Sequence, residues 1–311
     1  MIERVLITPR SLTAKREPVL RLLEASGFEL IFANPGQVPT EEQLLQLLPE
    51  CVGWIAGVEP ISERVLRAAT KLRVISRNGT GTDNIPLGVA KELGIRVERA
   101  DGANARGVAE LSIALILAAL RNIPELNRAL KHDQWQRRIG IEIFDRLVVL
   151  IGCGAVGRMV VQMALGLGAR TAAYDPFPNH SFTPAEPGEF RWISFDEAIS
   201  TADVISLHCP PLENGLPLFS RSVLDRLKHG CCLVNTARAN LVDESAVLDS
   251  LESGRLRAYA TDVFDPEPPL PGSPLLAHPR VIATPHLGGF TEESVRRAAE
   301  AAVNNLLAAL L

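Results

Sequence analysis

The 311-residue sequence has no long hydrophobic run, no block of like charge and no patterned cysteines. Its greasiest stretch, Val108 to Leu120, contains Glu110 and falls short of the ~20 residues that a bilayer-spanning helix needs. It reads as a buried helix, and no membrane association is expected. Cys51, Cys153, Cys209, Cys231 and Cys232 form no CxxC and no Cys/His spacing. That excludes a metal ribbon and a disulfide framework, so no metal is expected, and it points to reduced thiols in the cytoplasm. No Lys/Arg-rich run exists to neutralise phosphates, and 32 basic against 36 acidic residues leave a net charge of −4, which argues against nucleic-acid binding. The opening MIERVLITPR carries an early acid and enters a strand pattern directly, unlike a secretory signal. Internal repeats and low-complexity tracts are also missing.

What is present is a 47% apolar, globular composition over a length suited to two domains. Strand and helix patterns alternate. VLIT (5–8), FELIFA (28–33), GWIAG (53–57), LRVISR (72–77) and GIRVE (94–98) read as strands. Lys15 to Ala25, stopped by Gly27, reads as a helix, as do EEQLLQLL (41–48) and ERVLRAA (63–69). After a long helix (106–121) and an irregular arm through Trp135, the alternation restarts. RLVVLIG (146–152), RTAAYD (170–175), ADVISLH (202–208), GCCLVNTAR (230–238), LRAYATD (256–262) and RVIATPH (280–286) are six more strand candidates. The last segment, Glu292 to Leu310, is a helix with one apolar face. Such alternation predicts an α/β protein with mostly parallel sheets between helices. Two units are expected, with boundaries near 99–102 and 287–290 and the last helix returning to the first unit.

Each of the six later strands is followed by a residue able to do chemistry or to let a ligand approach: Gly152, Asp175, His208, Arg238, Asp262 and His286. Ligands of open parallel sheets bind beyond the carboxyl ends of the strands. Gly152-Cys153-Gly154-Ala155-Val156-Gly157 is a GxGxxG turn between a strand and a helix. Its first glycine permits the turn, the second lets backbone approach a pyrophosphate, and the third packs helix on strand. The helix N-terminus then offers N–H groups to the phosphates. Asp175, at the end of the next strand, can accept from the adenosine ribose hydroxyls and repels a 2′-phosphate, favouring NAD over NADP; otherwise it only opens an Asp-Pro turn. Arg238, Glu267 and His286 form a second group. An arginine can clamp a substrate carboxylate, and a carboxylate beside an imidazole stabilises its protonated form. Cys231 and Cys232 read as core, Cys209 as structural, and His132, His180, His229 and His278 as surface residues. Trp135 reads as the anchor of an inter-subunit arm.

Together the blocks RNGTGTDNIPL (77–87), GANARGVAE (102–110), the glycine turn, YDPF (174–177), SLHCPP (206–211), NTARANLVDE (235–244), DVFDPEP (262–268) and TPHLGGFTEES (284–294) resemble the D-isomer-specific 2-hydroxyacid dehydrogenases over essentially the whole chain. The 3-phosphoglycerate dehydrogenase-like branch is the nearest. The resemblance implies two Rossmann-like doubly wound domains, with an NAD-binding domain (101–286) inserted into a substrate domain (1–100 plus 287–311). It implies His286 as acid–base, Glu267 as the partner that holds its tautomer, and Arg238 as the group that binds the substrate carboxylate and polarises its carbonyl. Asp262 would meet the nicotinamide end of the cofactor. Gly152, Gly154, Ala155, Val156, Gly157, Asp175, His208, Pro210, Thr236, Ala237, Arg238, His286 and Gly288 would contact NAD. Backbone N–H groups of Asn78, Gly79 and Thr80 would meet the substrate carboxylate, alongside Arg238. A homodimer through the NAD-binding domains is implied as well.

Three departures stand out. Ala239 replaces a glycine, Pro86 stands where an acid is common, and Gly57 or Val58 of IAGVEP occupies the place of an arginine that meets phosphate in some phosphoglycerate dehydrogenases. The length predicts no C-terminal regulatory domain. A glyoxylate/hydroxypyruvate reductase is the alternative substrate reading, and an NAD-sensing corepressor is the alternative of another class. Formate dehydrogenases share the fold, but their histidine pairs with an amide, so Glu267 argues against that chemistry.

Overall fold

The computed structural model describes residues 2–311. The chain forms two compact units, one running through Asn104 and resuming at Gly289–Leu311, the other spanning Ala105–Gly288.

The first unit holds five strands: β1 (Arg4–Ile7), β2 (Glu29–Phe32), β3 (Cys51–Ala56), β4 (Val74–Arg77) and β5 (Arg96–Arg99). They pair in the order β2-β1-β3-β4-β5, every pair parallel. All six residues of β3 are buried, as expected of a central strand covered on both faces by helices. The helix Glu292–Leu310 closes this unit with Ala299, Ala302, Val303 and Leu306 fully buried. Ser76 Oγ donates to Ala302 O at 2.8 Å. The helix lies so close to β3 that a Cβ on Gly53 would sit 3.0 Å from Leu310 Cδ1.

The second unit holds β6 (Leu147–Ile151), β7 (Arg170–Tyr174), β8 (Phe190–Trp192), β9 (Val204–Leu207), β10 (Cys231–Asn235), β11 (Leu256–Thr261) and β12 (Val281–Ala283). Their order is β12-β11-β10-β9-β6-β7-β8, again wholly parallel. The chain therefore winds outward in both directions from β6, with the switch point between β6 and β9. Cys231 and Cys232 belong to the two opposite faces of this sheet, and burial pushes both thiols up. They are core residues. The helix Ala105–Leu120 is also largely buried.

Four local expectations fail. Lys15–Ala25 is not one helix: Lys15 and Glu17 are extended, a 3-10 turn covers Pro18–Leu20, and the helix proper is Arg21–Ala25. Pro18 forces its predecessor out of the helical region, and a separate helix occupies Arg10–Ala14. The arm before Trp135 is helical over Ile123–Lys131, with Pro124 in the first turn, where a missing N–H costs nothing. The short strand β8 is a seventh strand where six were expected. His278 is no surface residue either, since its side chain is 8% exposed beside Glu252.

Candidate active site

Along the carboxyl edge of the second sheet, in spatial order, follow His286, Asp262, Arg238, His208, Gly152 and Asp175. All six sequence-predicted residues thus share one edge.

The glycine turn sits at the switch point. Gly152 has φ +91°, and a Cβ there would lie 2.6 Å from His208 O, so only glycine fits. A Cβ on Gly157 would strike Gly152 O, whereas at Gly154 it would meet nothing within 4 Å. The first and third glycines are therefore demanded by the protein itself, and the second faces open space where a phosphate can approach. Gly154 caps the helix Ala155–Gly166 with no side-chain hydrogen bond, leaving the first-turn N–H groups of Ala155, Val156 and Gly157 for an anion. Asp175 accepts from Cys153 N–H and from Phe177 N–H, each at 2.9 Å. It opens the Asp-Pro turn and pins the glycine loop at once, and its remaining lone pairs can take ribose hydroxyls. These residues fit a dinucleotide.

His208 follows β9 on the same edge. Its Nε2 lies 2.9 Å from Ser206 Oγ, and burial pushes its pKa down to about 3. Burial keeps it neutral, and its backbone N–H donates to Ile151 O at 2.8 Å beside the glycine loop, with Pro210 exposed just beyond it. The adjacent Cys209 is half-buried, and its thiol is pushed up to about 11 by burial.

Arg238 stands on a turn built by Asn235, which is fully buried. Asn235 Oδ1 accepts from Ala237 N–H at 3.0 Å and Nδ2 donates to Arg238 O at 2.8 Å. Thr236 Oγ1 meets Ser112 Oγ at 2.9 Å, which ties the turn to the helix Ala105–Leu120. Asn235 was not foreseen. A buried amide directly before a turn is the signal for it.

The third group is assembled by a buried carboxylate. Asp262, 1% exposed, accepts from Thr284 Oγ1 at 2.6 Å, Leu287 N–H at 2.7 Å and Gly288 N–H at 2.8 Å. These bonds clamp the turn that holds His286 at φ +54°, a left-handed conformation that costs a non-glycine residue energy. On that turn the His286 side chain is 54% exposed, and its Nδ1 lies 2.7 Å from Glu267 Oε2. Glu267 Oε1 accepts from Phe264 N–H at 3.0 Å, so both carboxylate oxygens are used. A carboxylate acceptor requires the proton on Nδ1, which leaves Nε2 open to carry or receive one. Asp262 and Gly288, both expected as cofactor contacts, are bonded to each other in this turn.

In the first unit, Asn78-Gly79-Thr80 follows β4. Asn78 N–H is donated to Ala56 O at 2.8 Å and Gly79 N–H to Arg77 O at 2.9 Å. Two of the three N–H groups expected to greet a substrate are therefore already committed. Only that of Thr80 makes no hydrogen bond among the described residues, while its Oγ1 reaches Asn104 Oδ1 at 3.1 Å. No group of His, Cys, Asp and Glu able to hold a metal occurs among the described residues.

Comparison with known proteins agrees with this geometry. The family model described as D-isomer specific 2-hydroxyacid dehydrogenase, NAD binding domain, matches residues 113–288. A D-3-phosphoglycerate dehydrogenase of Archaeoglobus fulgidus is 34% identical over 258 residues, 82% of this chain and 49% of that protein. The chain thus spans about half the length of that curated relative. A hydroxypyruvate reductase of Thermotoga maritima is 35% identical over 262 residues, 83% of this chain and 84% of that one. Among solved structures, the TT0316 protein from Thermus thermophilus superposes with a TM-score of 0.88 at 34% identity, covering 99% of this chain and 96% of that one.

Proposed function

From the premise that the chain belongs to the D-isomer-specific 2-hydroxyacid dehydrogenase family, we propose that it interconverts a D-2-hydroxy acid and its 2-keto acid with NAD. The observation that carries this reading is the His286–Glu267 pair, raised on a turn clamped by Asp262, on the same sheet edge as the glycine loop. NAD, when bound, supplies or takes the hydride. The protein's part is positioning, charge and a proton. In reduction, His286 Nε2 delivers its proton to the oxygen that was the carbonyl, and Glu267 stabilises the imidazolium before and during transfer. In oxidation the same nitrogen takes the hydroxyl proton. Arg238 binds the substrate carboxylate and polarises the carbonyl. NAD is preferred over NADP because Asp175 would face a 2′-phosphate with like charge.

The substrate side favours an unphosphorylated acid, as a glyoxylate/hydroxypyruvate reductase would use. Neither Gly57, where a Cβ would lie 2.6 Å from Glu59 Oε2 and 3.0 Å from Pro9 Cα, nor the exposed, apolar Val58 offers a cation to a phosphate. Trp135, Ile139 and Phe144 leave most of their surface bare on the second unit, and a second copy of the chain is the proposed cover. The five free thiols suit a cytoplasmic location.

Following NADH absorbance against hydroxypyruvate, its 3-phosphate, glyoxylate, pyruvate and bulkier homologues tests the reading. Turnover of one at kcat/KM above roughly 10⁴ M⁻¹s⁻¹ is expected. Binding of NADH with no turnover of any would defeat it.

A further inference from the structure

A buried carboxylate outside the groups above lies at the carboxyl edge of the first sheet. Glu59 is 1% exposed and has no cationic partner among the described residues. Its Oε1 accepts from Gly57 N–H at 2.8 Å and from the Thr8 hydroxyl. Thr8, fully buried, in turn accepts from Trp54 Nε1 at 2.9 Å and from Gly57 N–H at 3.3 Å. The backbone of the same loop is held from the other side. Asn84 Nδ2 donates to Glu59 O at 2.7 Å and to Gly57 O at 3.2 Å, and Ile61 N–H donates to Asn84 O at 3.1 Å.

Thr8 follows β1 and Gly57 follows β3, the two strands that flank the switch point of the order β2-β1-β3-β4-β5. Asn84 lies late in the loop that begins with Asn78-Gly79-Thr80, and Asn78 N–H is itself bonded to Ala56 O. That loop is therefore fastened near both ends, to the last residue of β3 and to the segment following it. A carboxylate buried without a cation is expensive to desolvate, and an apolar residue of similar size would brace a loop at lower cost. What the polar network adds is a single fixed geometry, placed where open α/β sheets bind their ligands.

We propose that Glu59 is a positioning residue for substrate: through Gly57, Thr8 and Asn84 it fixes the Asn78–Thr80 turn, and so the grip on the 2-keto acid. This rests on the dehydrogenase reading. Glu59→Leu removes the carboxylate acceptor, and the isosteric Thr8→Val removes the hydroxyl that donates to it and accepts from Trp54 and Gly57. Each should raise KM for the keto acid by about tenfold or more, with kcat held within about threefold and KM for NADH unchanged. Glu59→Gln keeps an oxygen for both bonds and should restore KM to within about threefold of wild type. Thermal unfolding of each variant is recorded alongside. A lowered Tm with an unchanged keto-acid KM in both disruptive variants, or an equal rise in both KM values, would reduce the network to a structural brace. A wild-type protein inert toward every keto acid would defeat the dehydrogenase reading and this inference with it, a result distinct from the first two.

Discussion

The carboxyl edges of the two sheets solve one problem in different ways. In the second unit a buried Asp262 gathers three donors from one short turn, Thr284 to Gly288, and lifts an exposed imidazole above them. In the first unit a buried Glu59 gathers groups from separate strand ends, with Thr8 after β1 and Gly57 after β3, and lifts no titratable side chain of its own. Neither carboxylate has a cationic partner among the described residues, so each is offset by hydrogen bonds alone. The local clamp aims one reacting atom, whereas the dispersed clamp sets the relation between loops. Damage to the first should therefore appear in kcat, and damage to the second in substrate KM.

The largest effect is expected at the reacting atom. His286→Ala should lower kcat by about two orders of magnitude or more with NADH affinity nearly intact; near-normal turnover would remove His286 from proton transfer. Next comes its clamp. Asp262→Asn replaces an acceptor oxygen with an amide N–H facing Leu287 or Gly288, leaving a buried donor unmet at a cost of about 1–3 kcal/mol. Its kcat should fall about tenfold or more while KM for NADH stays close to wild type. A rise in that KM with kcat preserved would instead make Asp262 a cofactor contact.

Asp175→Ala should narrow the preference for NADH over NADPH by about tenfold, measured as the ratio of kcat/KM values. An unchanged ratio would mean that Asp175 serves only the glycine loop. The smallest effect concerns His208. Its folded-state pKa is depressed, so it contributes stability that is fully present above the unfolded value near 6.5 and lost as pH falls from there toward 3. Urea unfolding should show His208→Gln losing stability less steeply over that window, by at most about 1.4 kcal/mol per pH unit. Parallel slopes for the two proteins would contradict a neutral His208.

Much of this was legible in the sequence because the second unit writes its chemistry at strand ends. The GxGxxG turn, Asp175, Arg238 and His286 each follow an apolar run that can only be a buried strand, and the spacing alone puts them on one edge. Glu267 could be guessed from its place beside them. Glu59 could not, because a lone acid in a loop carries no sign that it is buried, and its partners Thr8, Trp54 and Asn84 are far apart in the chain. The commitment of Asn78 and Gly79 N–H groups was hidden for the same reason: backbone donors have no letter in the sequence. Helix boundaries failed where proline acts by position. Pro18 ended one expected helix, while Pro124 sits harmlessly in the first turn of another.

The most direct test follows one hydrogen atom. NADH carrying two deuterium atoms at nicotinamide C4 is incubated in ordinary water with the keto acid that turns over fastest. The expected product is the D-2-hydroxy acid with one deuterium on C2, its hydroxyl proton having come from His286. Product with the L configuration, or with no deuterium at C2, would contradict direct hydride transfer at this site.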